Sequence, residues 1–170
     1  EEKKKEPIAY IIGYKEFWKK KFKVNINVLI PRPDTEHLVE EVLKFIPNSS
    51  SLNILDIGTG SGCIILSILC ERNKCYGVAL DISKKALNVA KYNAKMQQIK
   101  NRIKFVHSDI DKFNLGTYDI IISNPPYIKN YNINCLDEDI RLFEPKIALN
   151  GGIDGYSKIK TIINRSGILI

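Results

Sequence analysis

Asn53-Ile54-Leu55-Asp56-Ile57-Gly58-Thr59-Gly60-Ser61-Gly62 reads as a short buried strand emptying into a glycine loop, and the apolar run Cys63 to Leu69 behind it reads as a helix. The strand-loop-helix pattern repeats outward. Tyr76 to Leu80 is a second strand ending at Asp81, after which Ser83 caps a helix with Ala86, Leu87, Ala90 and Ala94 on its inner face. Ile103 to His107 is a third strand ending at Ser108-Asp109, and Tyr118 to Ser123 a fourth ending at Asn124. Strands alternating with helices predict an α/β fold with a doubly wound, mostly parallel sheet.

Ligands of such sheets bind outside the carboxyl ends of the strands. Asp56, Asp81, Asp109 and Asn124 fall at four consecutive predicted strand ends. A buried polar group without a partner costs about 1–3 kcal/mol, so several at one edge imply solvent or a ligand there.

The flanks are less regular. From Pro7 to Leu29 the pattern is strand-like: Tyr10-Ile11-Ile12-Gly13 leads through Phe17-Trp18 to alternating Phe22, Val24, Ile26 and Val28, which predicts a hairpin or small sheet. Pro31-Arg32-Pro33 breaks it, and Asp34 or Thr35 is placed to cap a helix with Leu38, Val42, Phe45 and Ile46 on its apolar face, closed by Pro47. Beyond Tyr127 the pattern loosens, then resumes with Phe143-Glu144-Pro145, Ala148-Leu149 and Gly151-Gly152-Ile153-Asp154-Gly155. A helix carrying Ile159, Ile162 and Ile163 follows, and Gly167 to Ile170 begins a fifth strand. Residues 1–33 are assigned to an N-terminal strand and hairpin linker, and residues 34–170 to a single main domain.

With 170 residues, 44% of them hydrophobic, the chain suffices for one domain with a substantial core. Its longest apolar run is the eight residues Cys63 to Cys70 and its start is a charged run, which points to neither membrane insertion nor secretion. The net charge of +7 raises nucleic acid as a partner, but the chain holds 21 lysines to 5 arginines, with 28 isoleucines and 15 asparagines. That bias reads as genome composition. The lysines are scattered, clustering only at Lys3 to Lys5 and Lys19 to Lys23, so they read as solvated faces. The four cysteines contain no Cys-x-x-Cys pair and the two histidines lie far apart, which suggests neither a zinc site nor a disulfide framework. Cys63 and Cys70 share a helix face and read as small core residues in a reducing compartment.

The loop Gly58-x-Gly60-x-Gly62, with Asp56 two residues earlier, fits the dinucleotide pattern G-x-G-x-x-G poorly. It fits S-adenosylmethionine sites better: glycines let the backbone approach the methionyl part, and the helix start favours its carboxylate. Asp81 is placed to accept from both ribose hydroxyls, or else is a helix-start acid. Asp109 is placed to accept from the adenine amino group with Ile110 packing on the ring, or else caps a loop. At the fourth strand end, Asn124-Pro125-Pro126-Tyr127 is rich in acceptors and poor in donors, because proline has no N–H. Asn124 adds a side-chain carbonyl and Tyr127 a flat wall, so the corner suits a planar substrate bearing an NH2 group.

This tetrapeptide resembles that of class I methyltransferases acting on planar NH2 groups. Within that class, three further stretches look like one family: Pro7-Ile8-Ala9-Tyr10-Ile11-Ile12-Gly13 with Phe17-Trp18; Leu29-Ile30-Pro31-Arg32-Pro33-Asp34-Thr35-Glu36; and Glu144-Pro145 with Ala148-Leu149 and Gly151-Gly152-x-Asp154-Gly155. They resemble the peptide-chain release-factor glutamine N5-methyltransferases, the PrmC/HemK family, over nearly all 170 residues. The resemblance implies a Rossmann-like class I methyltransferase domain over residues 34–170, with S-adenosylmethionine as cofactor, release factors as partners, a cytoplasmic location and no metal. It also implies that Gly58, Thr59, Gly60, Ser61 and Gly62 cradle the cofactor, that Asp81 holds its ribose, and that Asn124, Pro125, Pro126 and Tyr127 hold the substrate glutamine. Asp56, Asp109, Ile110 and Asn124 are assigned to the cofactor's surroundings, and Asn124, Pro125 and Tyr127 to catalysis. Ile110 stands where many relatives have an aromatic residue, which keeps the apolar contact and loses the stack. Pro31 to Glu36 resembles a segment that folds over the cofactor, or else is a turn and helix cap. Against the family, the sequence is expected to be cut at both ends: no helical domain precedes Glu1, and no further strands follow Ile170. Three other readings stay open: an amino methyltransferase acting on adenine or guanine, a non-catalytic cofactor-binding fragment, and, least suited by the loop spacing, a nicotinamide oxidoreductase.

Overall fold

The computed structural model describes residues 6–170, so the Lys3 to Lys5 cluster lies outside the described residues. Pro7 opens a helix where a strand is expected: α1 (Ile8–Ile12) starts on the Pro7 carbonyl, which accepts from the Tyr10 amide at 2.9 Å, and ends at Gly13 with φ +79°. The β-prone residues give no protection against this, because Ile8, Ile11 and Ile12 all face solvent and only Tyr10 is buried. The predicted hairpin is present but shorter, as β1 (Tyr14–Phe17) antiparallel to β2 (Lys20–Lys23). Its two-residue turn puts Trp18 and Lys19 at φ +49° and +58°. These are left-handed values, costly for residues with a Cβ and matched to the twist of a hairpin. The alternation beyond Phe22 is not a strand; Val24 and Val28 are buried, Ile26 is exposed, and Asn25 folds the chain into a turn by accepting from the Asn27 amide.

A 3-10 turn over Pro33–Thr35 leads into α2 (Glu36–Phe45), with no side-chain cap from Asp34 or Thr35. The buried face is Val39, Val42 and Ile46, with Leu38 at its border; Phe45, expected inside, is 78% exposed. A helix turned so that Val39 and Val42 meet α3 carries Phe45, three further on, around to solvent.

The central pattern holds as read. β3 (Asn53–Ile57), α3 (Cys63–Glu71), β4 (Tyr76–Asp81), α4 (Lys84–Met96), β5 (Ile103–His107) and β6 (Ile120–Ser123) follow in order, and the strands form a parallel sheet ordered β5-β4-β3-β6. Register pairs Ile57 with Leu80 and with Ser123, so three strands end at one level. Side chains alternate across β3. Ile54 joins the core beneath α2 and α3, whereas Leu55 and Ile57 join the opposite core, which holds Leu80, Ile110, Phe113 and Tyr118. Helices therefore cover both faces, as a doubly wound sheet requires. α5 (Glu138–Phe143) and α6 (Lys146–Leu149) are short, and α7 (Ser157–Leu169) continues through Gly167 where a fifth strand is expected. Ile162 and Leu169, seven apart on one helix face, pack on the second core, and the Leu169 carbonyl accepts from the Tyr118 amide at 2.8 Å. That packing outweighs the weak helix propensity of Gly167.

Three of the five arginines cap chain ends that the helices leave open. Arg72 donates to the carbonyls of Leu43 and Ile46 at the end of α2; Arg102 donates to those of Leu69, Arg72 and Cys75 around the α3–β4 turn. Arg165 on α7 reaches the carbonyls of Ile110 and Phe113. A planar fork reaches several fixed carbonyls at once, which an ammonium on a flexible stem does poorly. Arg102→Met keeps the stem and removes the donor from the Leu69 and Cys75 carbonyls, the Arg72 carbonyl still accepting from the Cys75 amide, so it is expected to lower unfolding stability by about 2–3 kcal/mol. Urea denaturation measures this, and an unchanged midpoint contradicts the capping role.

Candidate active site

The strand order reverses at β3: successive strands β4 and β5 lie on one side of it and β6 on the other. The crevice at that point opens into a cavity of about 200 Å3 bounded by Ile57 to Ser61, Leu80 to Ser83, Ser108 to Ile110 and Asn124 to Pro126. Pro31, Arg32 and Thr35 close it from the segment before α2.

The glycine loop closes on itself once, where the Gly62 amide donates to the Thr59 carbonyl at 2.8 Å, and is otherwise fastened to β4. The amides of Gly58 and Thr59 both donate to the Leu80 carbonyl, at 2.9 and 3.0 Å. Gly60 donates to Asp81 Oδ2 at 2.9 Å, and Ser83 to Asp81 Oδ1 at 2.8 Å. The three glycines serve two purposes. Gly58 and Gly60, at φ +73° and +55°, have open space where a Cβ would stand, which leaves their backbone bare to the cavity. A Cβ on Gly62, at φ +82°, would lie 2.9 Å from Leu66 Cδ1 and 3.3 Å from the Ala90 Cβ, so Gly62 brings α3 and α4 together beneath the loop and does not line the cavity. Below it, Asn93 of α4 is buried; it donates to the Ser61 carbonyl at 2.8 Å, accepts from the Lys23 amide at 2.7 Å and donates to the Lys23 carbonyl at 3.1 Å. This one amide ties the loop to the β1–β2 hairpin, and no spacing in the sequence announces it.

Asp81 ends β4 and is 8% exposed; burial raises its carboxyl pKa against the lowering by its two amide donors. Each oxygen keeps a further lone pair for a hydroxyl. Asp109 lies two residues beyond β5 and lines the cavity while its Oδ1 accepts from the Asp111 amide at 3.2 Å, so both sequence readings of it are compatible with the fold. Ile110 is buried on the cavity floor. Asp56 is placed differently from its expected neighbours. It lies within β3 and turns toward the α3 side, fully buried, with Oδ2 accepting from Thr59 Oγ1 at 2.7 Å and Oδ1 unpartnered. It braces the loop from beneath and is absent from the cavity wall.

Asn124 follows β6 and lines this cavity and a second one of about 600 Å3, walled by Leu29, Leu38, Leu136, Ile140 and Leu149 and bounded by Tyr127. Its Nδ2 points to Thr35 Oγ1 at 3.4 Å, an orientation that leaves Oδ1 unengaged. Pro125 borders both cavities, Pro126 the first, and Tyr127 the second only. Tyr127 is 66% exposed, while its backbone is held tightly: Cβ atoms on Gly151 and Gly155 would lie 2.7 and 2.6 Å from the Tyr127 Cα and carbonyl oxygen. The Gly151–Gly155 loop is thus a clamp on the tetrapeptide. Arg32 reaches Glu144 across the mouth at 2.6 Å, a contact 112 residues long in sequence. Among the described residues no group of His, Cys, Asp or Glu is arranged to hold a metal, and no helix is long and apolar enough to cross a membrane.

Burial raises the Asp56 carboxyl to about 7. A carboxyl with a folded pKa above its unfolded value binds more protons folded than unfolded, so its contribution to stability falls as pH rises from about 4 toward 7 and levels off above. Asp56→Asn removes that term. Its stability relative to the unmodified chain is expected to climb between pH 4 and 7; a difference independent of pH, by urea midpoints, contradicts the buried, half-partnered carboxyl.

The methyltransferase small domain family matches residues 35–138. The chain is 41% identical over 160 residues to the release factor glutamine methyltransferase of Caulobacter vibrioides, covering 94% of this chain and 55% of that protein. It is 45% identical over 166 residues to the release factor glutamine methyltransferase of Coxiella burnetii, covering 96% and 58%. The chain therefore spans little more than half the length of these curated relatives. Among solved structures, the hMettl16 catalytic domain in complex with a 3'UTR hairpin superposes with a TM-score of 0.67 at 21% identity, covering 85% of this chain and 55% of that one. A human methyltransferase 10 domain containing protein superposes at 0.51 with 24% identity, over 70% and 61%. These two likenesses are of fold alone. The family match spans more than half of the chain and holds the glycine loop, Asp81 and Asn124 to Tyr127: the chain belongs to the methyltransferase small domain family.

Proposed function

We propose that the chain transfers a methyl group from S-adenosylmethionine to the side-chain amide nitrogen of the glutamine in the Gly-Gly-Gln motif of peptide-chain release factors, in the cytoplasm. The observation that carries this reading is Asn124, whose amide is turned by Thr35 so that Oδ1 stays free where the two cavities meet. The names of the relatives supply the substrate.

The residues around the first cavity suit the cofactor. Backbone bared at Gly58 and Gly60 admits a methionyl chain closely, the Asp81 carboxylate offers lone pairs to vicinal hydroxyls, and Leu80, Ile82 and Ile110 give a ring apolar surroundings. When bound, S-adenosylmethionine supplies a methyl group on a positively charged sulfur. The rest falls to the chain. An amide nitrogen is a weak nucleophile because its lone pair is delocalised into the carbonyl, so placement must do most of the work. In this reading Asn124 Oδ1 and the Pro125 carbonyl accept the two amide hydrogens and aim the nitrogen at the first cavity. As the N–C bond would form and the methyl–sulfur bond break, positive charge would grow on nitrogen, where those fixed oxygens would stabilise it until one amide proton passed to solvent. Tyr127 covers the amide once the substrate is seated, drawing its exposed ring against the peptide.

Two substitutions separate the halves of the site. Asn124→Ala leaves one substrate hydrogen unpaired and is expected to slow glutamine methylation by about five- to 150-fold, equivalent to about 1–3 kcal/mol, with cofactor affinity little changed. Methylation at the unmodified rate refutes the role of Asn124. Asp81→Ala is expected to weaken S-adenosylmethionine binding by at least about tenfold, and equal affinity by calorimetry refutes the ribose contact.

A further inference from the structure

The tetrapeptide Asn124 to Tyr127 is held from both of its ends, by two segments far apart in sequence. On one side Thr35 Oγ1 receives the Asn124 Nδ2, and the Thr35 amide donates in turn to the Arg32 carbonyl at 3.0 Å. On the other side, just past Tyr127, the Ile128 amide donates to the Leu149 carbonyl at 3.1 Å, and the Ile128 carbonyl accepts from Gly151 at 2.8 Å. Leu149 ends α6, the single turn that Glu144 and Pro145 introduce. Arg32 and Glu144 therefore head the two segments, and their 2.6 Å contact closes a ring that runs Arg32, Thr35, Asn124, Tyr127, Ile128, Leu149, Glu144.

The pair is expensive as a mere staple. The Glu144 side chain is 1% exposed, its Oε2 has no partner, and burial raises its pKa against the pull of Arg32. Packed apolar side chains would fasten two segments without desolvating Glu144, so a pair with one buried and one half-exposed member is better suited to fixing geometry than to adding stability. Arg32 stands between Pro31 and Pro33, whose rings fix their own φ and favour the extended backbone that Arg32 adopts, so the backbone from Arg32 to Thr35 has little slack. Arg32 lines both cavities.

We propose that the Arg32–Glu144 pair is a latch that positions the acceptor end of the site, holding the Thr35 hydroxyl where it turns Asn124. Arg32 and Glu144 are positioning residues on this account, and the account rests on the role given to Asn124 above. Breaking the latch loosens the placement of the substrate amide more than the grip on the cofactor, whose loop is anchored separately on Leu80 and Asp81.

The test uses the 170-residue chain with Arg32→Met, Arg32→Lys, Glu144→Gln and the Arg32→Met, Glu144→Gln double variant. For release-factor glutamine at saturating cofactor, kcat is expected to fall by about tenfold or more in Arg32→Met and in Glu144→Gln, to recover in part with Arg32→Lys, and to fall no further in the double variant. Calorimetric affinity for S-adenosylmethionine is expected to stay within about threefold in Glu144→Gln, whose residue lines neither cavity. Independently of turnover, amide exchange followed by NMR is expected to speed up at Thr35 and Ile128 by about tenfold in either single variant, while Leu55 and Val78 in the central strands keep their protection. A kcat within about twofold of the unmodified chain, or losses that multiply in the double variant, overturns the latch. So does unchanged exchange at Thr35 and Ile128. If the unmodified chain transfers no methyl group at all, the proposed function fails, and the exchange measurement still decides the latch.

Discussion

One carboxylate joins the two strand ends on which the proposed cofactor half of the site is built. Asp81 accepts from the Gly60 amide with one oxygen and from the Ser83 amide with the other, so the glycine loop after β3 and the start of α4 share a single anchor. The adjacent Leu80 carbonyl takes the amides of Gly58 and Thr59. A loop held this way needs only one bond of its own, from the Gly62 amide to the Thr59 carbonyl, and its left-handed Gly58 and Gly60 stay bare toward the crevice. Asn93 and Asp56 hold the same loop from beneath, from positions on α4 and β3 that do not line the cavity. The register of β3 with β4 and β6 then decides what stands opposite, because it ends all three strands at one level and delivers Asn124 to the far side of the same opening.

The two halves are built by contrasting means. The cofactor side is set by backbone hydrogen bonds within a regular parallel sheet, where neighbours in sequence become neighbours in space. The acceptor side is set by irregular chain whose partners are remote: Thr35 on Asn124, Leu149 on Ile128, Arg32 on Glu144. Prolines suit this second construction, since they stiffen the chain while removing donors that would otherwise need partners in a corner meant to accept. Arginine suits it as well. Four of the five arginines in this lysine-rich chain hold carbonyls or a carboxylate with a fork that lysine does not offer, so the few arginines carry structure while the many lysines carry charge.

How much of this the residues alone reveal follows the same division. The strands β3, β4, β5 and β6, the Ser83 cap and the inward Ala86, Leu87, Ala90 and Ala94 are legible because each rests on a local period or a local hydrogen bond, and Ser83 Oγ does accept from Ala86. Tyr10-Ile11-Ile12 misleads because one helical turn between Pro7 and Gly13 is decided by its ends, whereas the pattern of its interior reads as strand. Phe45 and Val39 exchange places because rotation about a helix axis is set by its neighbour, and Gly167 stays helical because Leu169 packs on the second core. Asp56 shares the strand-end pattern of Asp81 and even its parity, but its partner in register is Ala79, two residues short of Asp81, so Asp56 lies deeper beneath the loop while Asp81 reaches the rim. The Arg32–Glu144 pair lies beyond any local reading, for 112 residues separate its members and only the closed fold brings them together.

The claim at the centre of this account is that an acceptor-lined corner beside a methyl-donor cavity selects a glutamine amide. Its most direct measurement incubates the 170-residue chain with S-adenosylmethionine bearing a labelled methyl group, a peptide-chain release factor and total RNA, and locates the label by mass spectrometry. One labelled methyl on the side-chain nitrogen of the Gly-Gly-Gln glutamine is the predicted result. Label on an RNA base amine with none on the release factor, or cofactor bound and no label transferred, contradicts it.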